Sequence, residues 1–176
     1  LLYTVMNTIG NGATATAVEI DELLVRLSAV MADLVEHPVT FYIQDSLRPL
    51  LVDPVDMTIS DLPVGYYPDD DNALNYELMP TEGHAYAHHL FIEQSMKHTK
   101  AGGYALFLVP ANLFDSEQSS FLHPYLKNRT LIRAVIQLPD SLFKNAIHAK
   151  SLLILQKPYP EKTATPDVLL AKVPDM

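Results

Sequence analysis

The stretch Asp56-Met57-Thr58-Ile59-Ser60-Asp61-Leu62-Pro63-Val64-Gly65-Tyr66-Tyr67-Pro68 decides how this chain is expected to fold. Its first part predicts a short buried strand that ends close to Asp61, and its second part predicts a turn rich in proline, glycine and tyrosine. In an open parallel α/β sheet, ligands bind outside the carboxyl ends of the strands. A polar residue followed by an aromatic turn at such an end therefore predicts a functional site.

The segments around this stretch alternate between strand and helix patterns. Strands are predicted at 13–20, 39–43, 56–60, 104–109, 131–138 and 151–156, with a short one at 168–172. Helices are predicted at 1–9, 22–36, 84–100 and 115–127, the second capped by Asp21 and the third ended by Ala101-Gly102-Gly103. The alternation indicates an α/β fold with a mostly parallel sheet and helices on both faces. The last two long strands are joined by a loop too short for a helical crossover, which predicts an antiparallel pair at one edge.

Composition narrows the classes of function. The 176 residues suit one domain, and 48% hydrophobic with 19% charged residues is an ordinary globular balance. The sequence has no cysteine, which excludes disulfides and thiolate metal sites and fits the reducing cytoplasm. No apolar run is long enough to span a bilayer, so no membrane partner is expected. A net charge of −9 argues against this segment alone binding a phosphate backbone.

Two residue clusters share some features with metal-binding sites. His84 and His88 have the i, i+4 spacing of zinc ligands, but no third ligand is obvious. The run Asp69-Asp70-Asp71 lacks the alternation and the glycine of a calcium loop, and a solvated loop or the edge of a lid is expected instead. We therefore predict no metal site.

An ordered set of motifs resembles a known family over nearly the whole chain. The set comprises Val18-Glu19-Ile20-Asp21, Gln44-Asp45, Asp61-Leu62-Pro63-Val64-Gly65, Lys100-Ala101-Gly102-Gly103-Tyr104 with Val109-Pro110, and Leu138-Pro139 followed by Leu142-Phe143. This order is similar to that of class I S-adenosylmethionine-dependent methyltransferases. It most resembles the bacterial N6-adenine DNA methylases, including type I modification subunits, and within them a Gram-positive subfamily with the Asp-Leu-Pro-Val-Gly-Tyr-Tyr-Pro string. The resemblance implies a Rossmann-like methyltransferase sheet, with 1–157 as part of the catalytic domain and 158–176 as a proline-punctuated tail.

The resemblance implies that S-adenosylmethionine is the cofactor. Glu19 is implied to accept hydrogen bonds from its ribose hydroxyls, Ile20 to pack on its adenine, and Asp45 to accept from the adenine amino group. A plain structural interpretation stays open for Glu19 as an acidic strand end facing water and for Asp45 as a capping residue. The chain begins in a helical pattern without an initiator methionine. We therefore expect a piece of a longer protein that lacks the family's first strand and glycine-rich loop and binds the donor weakly by itself.

The resemblance places catalysis in the turn after the third strand. Asp61 matches the head of the family's Asn/Asp-Pro-Pro-aromatic motif, and Leu62 and Pro63 follow it. An exocyclic amine is a poor nucleophile while its lone pair is delocalised into the ring. The Asp61 carboxylate and the Leu62 carbonyl are implied to accept both amine hydrogens, which favours the pyramidal nitrogen of the transition state. Asp61 is also implied to contact the donor.

The chain departs from the family motif at its fourth position. The family places there an aromatic ring that stacks on a flipped base, whereas this chain has Val64. Tyr66 and Tyr67 are the nearest substitutes, and Phe143 matches the family's second stacking aromatic. The alternative for Phe143 is a core position beside Leu142.

These observations predict a methyltransferase that acts on the N6 amino group of adenine in nucleic acid, DNA rather than RNA, with contacts supplied by other domains. One alternative is a degenerate methyltransferase fold kept for donor sensing or protein interaction. Another is an enzyme that methylates RNA or a protein amide. Unpaired sheet edges also lead us to expect a homodimer.

Overall fold

The computed structural model describes residues 1–10, 12–145, 148–161 and 167–175. Residues 11, 146–147, 162–166 and 176 lie outside these ranges, and they include parts of the predicted loop between the last two long strands and of the predicted tail 158–176. The chain divides into two compact units, Leu1–Leu51 and Val52–Met176, which are described in turn. In the described part of the chain, every helix falls short of the length and apolar character needed to cross a membrane.

The first unit is a two-stranded parallel sheet with two helices. Its elements are α1 (Leu2–Ile9), β1 (Ala15–Glu19), α2 (Glu22–Leu34) and β2 (Val39–Ile43). The Asp21 side chain accepts hydrogen bonds from the backbone N–H groups of Leu23 and Leu24, at 2.8 and 3.3 Å, so the predicted helix cap is confirmed. The register places Ala15 opposite Val39 and Glu19 opposite Ile43, which brings the carboxyl ends of both strands to one edge.

The second unit is a five-stranded mixed sheet. Its elements are β3 (Val55–Asp61), α3 (Asp70–Ala73), α4 (Ala87–His98), β4 (Thr99–Pro110), α5 (Leu122–Arg129), β5 (Leu131–Gln137), β6 (Lys150–Gln156) and β7 (Leu169–Lys172). The strand order is β3-β4-β6-β5-β7, in which β6 runs antiparallel to both of its neighbours while β3 with β4 and β5 with β7 are parallel. The predicted antiparallel pair is confirmed as β5 with β6, but its predicted place at an edge of the sheet is wrong, because β6 is the central strand and the parallel strand β7 lies outside β5.

The core of this unit forms where helices cover the sheet. Helix α4 packs against β3 and β4, and α5 packs against β5. Apolar side chains from these helices and from the two central strands are fully buried: Leu90, Ile92, Phe107, Val109, Leu122, Leu126, Leu153 and Leu155. Their burial fixes β4 and β6, the strands that lead to and from the predicted site edge.

Two predicted boundaries are wrong for identifiable reasons. The predicted helix stop at Gly102 and Gly103 lies inside β4, because α4 ends at His98 and the strand begins at once. A Cβ on Gly103 would come within 2.7 Å of the Asp56 carbonyl oxygen, so the glycine allows close approach of β3 rather than ending a helix. The helix predicted from 115 begins only at Leu122 and runs to Arg129, because Pro124 has no N–H and fits only a first turn.

Candidate functional site

The site is built on the carboxyl end of β3. Asp61 is the last residue of that strand and lies opposite Leu108 of β4, and the Leu62 N–H donates to the Leu108 carbonyl at 3.1 Å. The Leu62 side chain is 2% exposed, so it anchors the start of the turn in the core. Asp61 itself is exposed at the sheet edge. The strand therefore presents a carboxylate to solvent from a rigid position.

Backbone hydrogen bonds hold the turn after Asp61 against the segment before α4. The Ala87 N–H donates to the Gly65 carbonyl and the Tyr67 N–H donates to the Ala85 carbonyl, both at 2.8 Å. Gly65 has φ 122°, a left-handed conformation that favours glycine. These hydrogen bonds fix the path of the backbone through the turn.

The turn carries an exposed aromatic pair. The Tyr66 and Tyr86 rings stack with centroids 4.6 Å apart and planes 29° apart, and the Tyr86 hydroxyl donates to the Tyr66 hydroxyl at 3.0 Å. That hydrogen bond stabilises the protonated phenol and raises the pKa of Tyr86 to about 12. Tyr66 is 60% exposed. Sequence reasoning missed Tyr86, because only the Tyr66–Tyr86 bridge between distant segments brings the two rings together.

The other residues predicted for base stacking have different surroundings. Tyr67 is 6% exposed, and its hydroxyl accepts a hydrogen bond from the Asn72 side-chain amide at 3.1 Å, so its ring faces the interior. Phe143 is half-buried and follows the 3₁₀ turn Asp140–Leu142. Val64, at the position where the family has a ring, is 66% exposed. Tyr66 is therefore the tyrosine of the turn whose ring is open to a ligand.

A lysine that the sequence analysis did not single out contacts the central carboxylate. The Lys150 Nζ donates a hydrogen bond to Asp61 Oδ1, and the two residues form an ion pair. Lys150 is the first residue of β6 and lies 89 positions from Asp61 in the sequence. No local pattern marks it, since the contact depends on strand order.

The first unit brings together the residues predicted to hold the donor. The Gln44 N–H donates to the Glu19 carbonyl at 3.0 Å, which extends the pairing of β1 and β2 toward Asp45. Glu19 Oε1 accepts from the Asp21 N–H at 3.0 Å, and Asp45 Oδ1 accepts from the Leu47 N–H at 2.9 Å. Ile20 is 69% exposed.

This arrangement fits the ribose and adenine of S-adenosylmethionine. A carboxylate has two oxygens, so Glu19 can accept from a ligand hydroxyl while it also accepts from the Asp21 N–H. Ile20 offers an exposed apolar surface for a purine ring directly after Glu19. Asp45 caps its own turn, which supports the structural interpretation of that residue without excluding the ligand role.

His88 and His89, near the start of α4, are buried. Burial lowers the pKa of His88 to about 4, and burial together with the neighbouring His88 lowers the pKa of His89 to about 3. Among the described residues, no group of three or more histidine, cysteine, aspartate or glutamate side chains could hold a metal ion. Asp69 caps α3 by accepting from the Asn72 N–H at 2.9 Å, so part of the acidic run stabilises a helix start.

Comparison with known proteins identifies the family. The family model described as N-6 DNA Methylase matches residues 19–174. The uncharacterized protein YtxK of Bacillus subtilis (strain 168) is 48% identical over 143 residues, which cover 81% of this chain and 44% of that protein.

Solved structures agree with that family. A protein of Listeria monocytogenes, solved as a proposed class I S-adenosylmethionine-dependent methyltransferase, is 46% identical and superposes with a TM-score of 0.90 over 98% of this chain and 54% of its own. The methyltransferase subunit of a type I restriction-modification system from Streptococcus thermophilus shares the fold at 18% identity and a TM-score of 0.70, over 88% of this chain and 35% of its own.

The chain thus spans about half the length of the Bacillus subtilis and Listeria monocytogenes proteins. The predicted class, a Rossmann-like methyltransferase fold of the N6-adenine methylase type, is confirmed. The match covers both units, from the end of β1 to a position beyond β7. The chain belongs to the N-6 DNA methylase family.

Proposed function

We propose that this chain is part of the catalytic domain of a methyltransferase that transfers a methyl group from S-adenosylmethionine to the N6 amino group of adenine in DNA. The observation that carries the proposal is the exposed Asp61 carboxylate at the carboxyl end of β3, followed by Leu62 and Pro63 in a turn held by backbone hydrogen bonds. Membership of the N-6 DNA methylase family supports the donor and the type of acceptor.

In this proposal, residues of the turn after β3 bind the amine that accepts the methyl group. When bound, S-adenosylmethionine supplies an electrophilic methyl group on a sulfonium. Asp61 accepts one hydrogen of the target amine, and the Leu62 carbonyl accepts the other. Pro63 restricts the residue before it to extended conformations, which limits the directions that the Leu62 carbonyl can take. Two fixed acceptors favour the pyramidal, nucleophilic nitrogen because they need no reorganisation during the reaction.

Tyr66 supplies the surface on which the target base rests. Its ring is 60% exposed and is backed by the Tyr86 ring, so it presents a ready aromatic face. Base–aromatic stacking tolerates any base, so it holds the target while the amine acceptors select the exocyclic group. In this proposal Tyr66 takes the part of the ring missing at Val64, and Phe143 contributes a second apolar surface. Tyr67 acts in the fold instead, through its buried ring.

In this proposal, residues of the first unit bind the methyl donor. Glu19 accepts from the ribose hydroxyls, Ile20 packs on the adenine, and Asp45 faces the adenine amino group. The observations behind this assignment are the shared sheet edge, the exposed Ile20 and the second oxygen of the Glu19 carboxylate.

The net charge of the chain bears on how it would bind DNA. Because the net charge is −9, the phosphate contacts of a DNA substrate are assigned to other regions of a longer protein. The proposal includes a cytoplasmic location, supported by the cysteine-free sequence, and a homodimer formed through sheet edges.

The test is methyl incorporation by the full-length protein. Tritiated S-adenosylmethionine is incubated with bacterial DNA that lacks N6-methyladenine, with RNA and with protein, and the label is identified after hydrolysis. We expect N6-methyladenine in the DNA, and a loss of about 10²- to 10⁴-fold in kcat for Asp61→Ala. The matched control is Asp56→Ala, at the other end of β3, where the side chain is 88% exposed and paired with Lys100. Label in no acceptor, or full activity of Asp61→Ala, would overturn the proposal.

A further inference from the structure

We propose that Lys150 is a positioning residue for the transfer, which holds the Asp61 carboxylate in the orientation that accepts the amine. The inference rests on the proposed function of Asp61 and adds a residue that is distant in the sequence but lies at the same edge of the sheet. Its basis is the ion pair between the Lys150 Nζ and Asp61 Oδ1.

Strand direction explains how a residue at a strand start reaches the catalytic edge. Strands β3 and β4 are parallel, so their carboxyl ends share one edge. Strand β6 is antiparallel to β4 and places Lys150 opposite Pro110, the last residue of β4. The beginning of β6 therefore lies at the edge where β3 ends. Lys150 spans β4 with its long side chain to meet Asp61, two strands away.

The backbone around Lys150 is fixed on both sides. The Leu138 N–H donates to the Lys150 carbonyl at 3.2 Å, and the Ala111 N–H donates to the Ala149 carbonyl at 3.0 Å. The next residue, Ser151, is 5% exposed and pairs with Val109 and Gln137. The Lys150 side chain is 22% exposed against 56% for that of Asp61. A lysine on such a rigid element can hold its partner with little freedom of its own.

The contact with Lys150 uses one of the two carboxylate oxygens of Asp61. Lys150 donates to Oδ1, so the carboxylate is held by one oxygen while Oδ2 can accept a hydrogen of the target amine. During transfer the amine nitrogen forms a bond to the methyl carbon as the carbon–sulfur bond breaks, with its electrons left on sulfur, and the nitrogen then releases one proton to the solvent around the exposed Asp61 carboxylate. Lys150 makes no bond to the reacting atoms. Its effect is to keep Asp61 from rotating, and a misplacement of about 1 Å costs roughly 10²-fold in rate.

A second lysine–aspartate ion pair, at the other end of β3, provides a matched control. The Lys100 Nζ contacts both oxygens of Asp56 at 3.0 Å, near the amino ends of β4 and β3. That pair joins the same two kinds of residue, and it lies at the edge of the sheet opposite to Asp61. Loss of Lys100 thus reproduces the removal of a lysine from a lysine–aspartate pair without touching the proposed catalytic turn.

The test compares Lys150→Met, Lys150→Arg and Lys100→Met in the full-length protein. The assay uses tritiated S-adenosylmethionine and bacterial DNA that lacks N6-methyladenine. We expect Lys150→Met to lower kcat by about 10- to 100-fold while KM for either substrate changes by less than about 2-fold. Lys150→Arg should recover most of the rate because it restores a cationic donor, and Lys100→Met should match the unmodified protein. In an Asp61→Asn background, Lys150→Met should cause no further loss.

The outcomes separate this inference from the proposed function. An active protein in which Lys150→Met has no effect overturns the inference alone. A rise in KM for DNA that grows with salt, at constant kcat, also overturns it and assigns Lys150 to a phosphate. A protein that methylates no acceptor overturns the proposed function itself. The contact is checked independently by urea unfolding of Asp61→Asn, Lys150→Met and the double variant, since a zero coupling free energy would refute the ion pair.

Discussion

Tyr66 lies against Tyr86, with ring centroids 4.6 Å apart, and accepts a hydrogen bond from the Tyr86 hydroxyl. The two residues also form an antiparallel bridge, so both backbone and side chains fix the Tyr66 ring. Aromatic pairs in offset geometry contribute about 0.5–1.5 kcal/mol beyond the area they bury. The ring is thus held in place before any ligand arrives, which lowers the cost of ordering it on binding.

Replacement of Tyr66 by alanine is expected to weaken binding of the DNA substrate. Loss of one base–aromatic stack costs about 1–3 kcal/mol, which corresponds to a rise of roughly 5- to 150-fold in KM for DNA. Steady-state methylation at fixed donor concentration measures the effect. Tyr66→Phe retains the ring and should keep KM within about 2-fold. Equal KM values for Tyr66→Ala and the unmodified protein would contradict the stacking role.

Replacement of Glu19 by alanine is expected to weaken donor binding. A hydrogen bond to a charged group contributes about 1.5–3 kcal/mol, so the Kd for S-adenosylmethionine should rise by roughly 10- to 150-fold. Isothermal titration calorimetry on the full-length protein measures the change. Glu22→Ala is the control, since Glu22 lies in the first turn of α2 and pairs with the exposed Arg26. An unchanged Kd for Glu19→Ala would show that Glu19 does not bind the donor.

Donor affinity of the 176-residue chain alone is a related prediction. We expect the isolated chain to bind S-adenosylmethionine more weakly than a protein of its relatives' full length, because the chain spans only about half of that length. The same calorimetric titration compares the two proteins. Equal affinities would show that the 176 residues suffice for donor binding.

Replacement of Gly102 by alanine is expected to destabilise the second unit more than the same change at Gly83. Both glycines have positive φ, 80° and 83°, so each alanine costs about 1–2 kcal/mol of backbone strain. At Gly102 the new methyl group would also overlap the Tyr159 ring, whereas the space around Gly83 is open. Tyr159 is 51% exposed and its ring can move aside in part, so the overlap adds about 1 kcal/mol, the lower end of the cost of overpacking.

Urea unfolding of the two glycine variants isolates that clash. A third protein, Gly102→Ala with Tyr159→Ala, should regain part of the lost stability because the overlapping ring is gone. If Gly83→Ala and Gly102→Ala lose equal free energy, the Tyr159 ring moves aside at no cost and the prediction is wrong.

Acid should destabilise the protein through the buried histidines. The pKa of each lies below its unfolded value of about 6.5, at about 4 for His88 and about 3 for His89. The unfolded chain therefore binds more protons between these values. The free energy of unfolding should fall as the pH drops from about 6.5 toward 3, by at most about 1.4 kcal/mol per pH unit for each histidine.

The double variant His88→Gln/His89→Gln tests this slope. Denaturant unfolding of both proteins is measured at several pH values from 7.5 to 4. The difference in unfolding free energy should be constant above about pH 6.5 and should shift in favour of the variant below it, because glutamine does not titrate. Parallel pH profiles for the two proteins would show that the histidines do not control acid stability.

The sequence predicted those parts of the fold that depend on local pattern. The strand at Val39–Ile43 was predicted with its observed bounds, and the Asp21 cap was predicted from one side chain before a periodic apolar run. Local rules failed at Gly102 and Gly103, where a signal for a helix end serves instead the close approach of another strand. The reason is tertiary: the carbonyl of Asp56 meets Gly103 from more than 40 residues away.

The site residues, too, were predicted where the sequence signal is local and were missed where it depends on tertiary contacts. Asp61 was predicted because it follows a predicted strand, and strand ends carry function in this fold class, whereas the role of Glu19 was implied by the resemblance to the methyltransferase family. Lys150 and Tyr86 were not found, because their partners are reached across the sheet or across a bridge. A strand order for the unit, had it been predicted, would have placed Lys150 at the Asp61 edge.

The division of the chain at residue 51 has a consequence for genetics. Three of the four residues assigned to the methyl donor, Glu19, Ile20 and Asp45, precede that boundary, whereas Asp61, which is assigned to both donor and acceptor, follows it with the other acceptor residues. Loss-of-function alleles should therefore sort by position into two phenotypic classes. Alleles before residue 51 should be suppressed by raised intracellular donor, whereas those after it should not respond to donor supply.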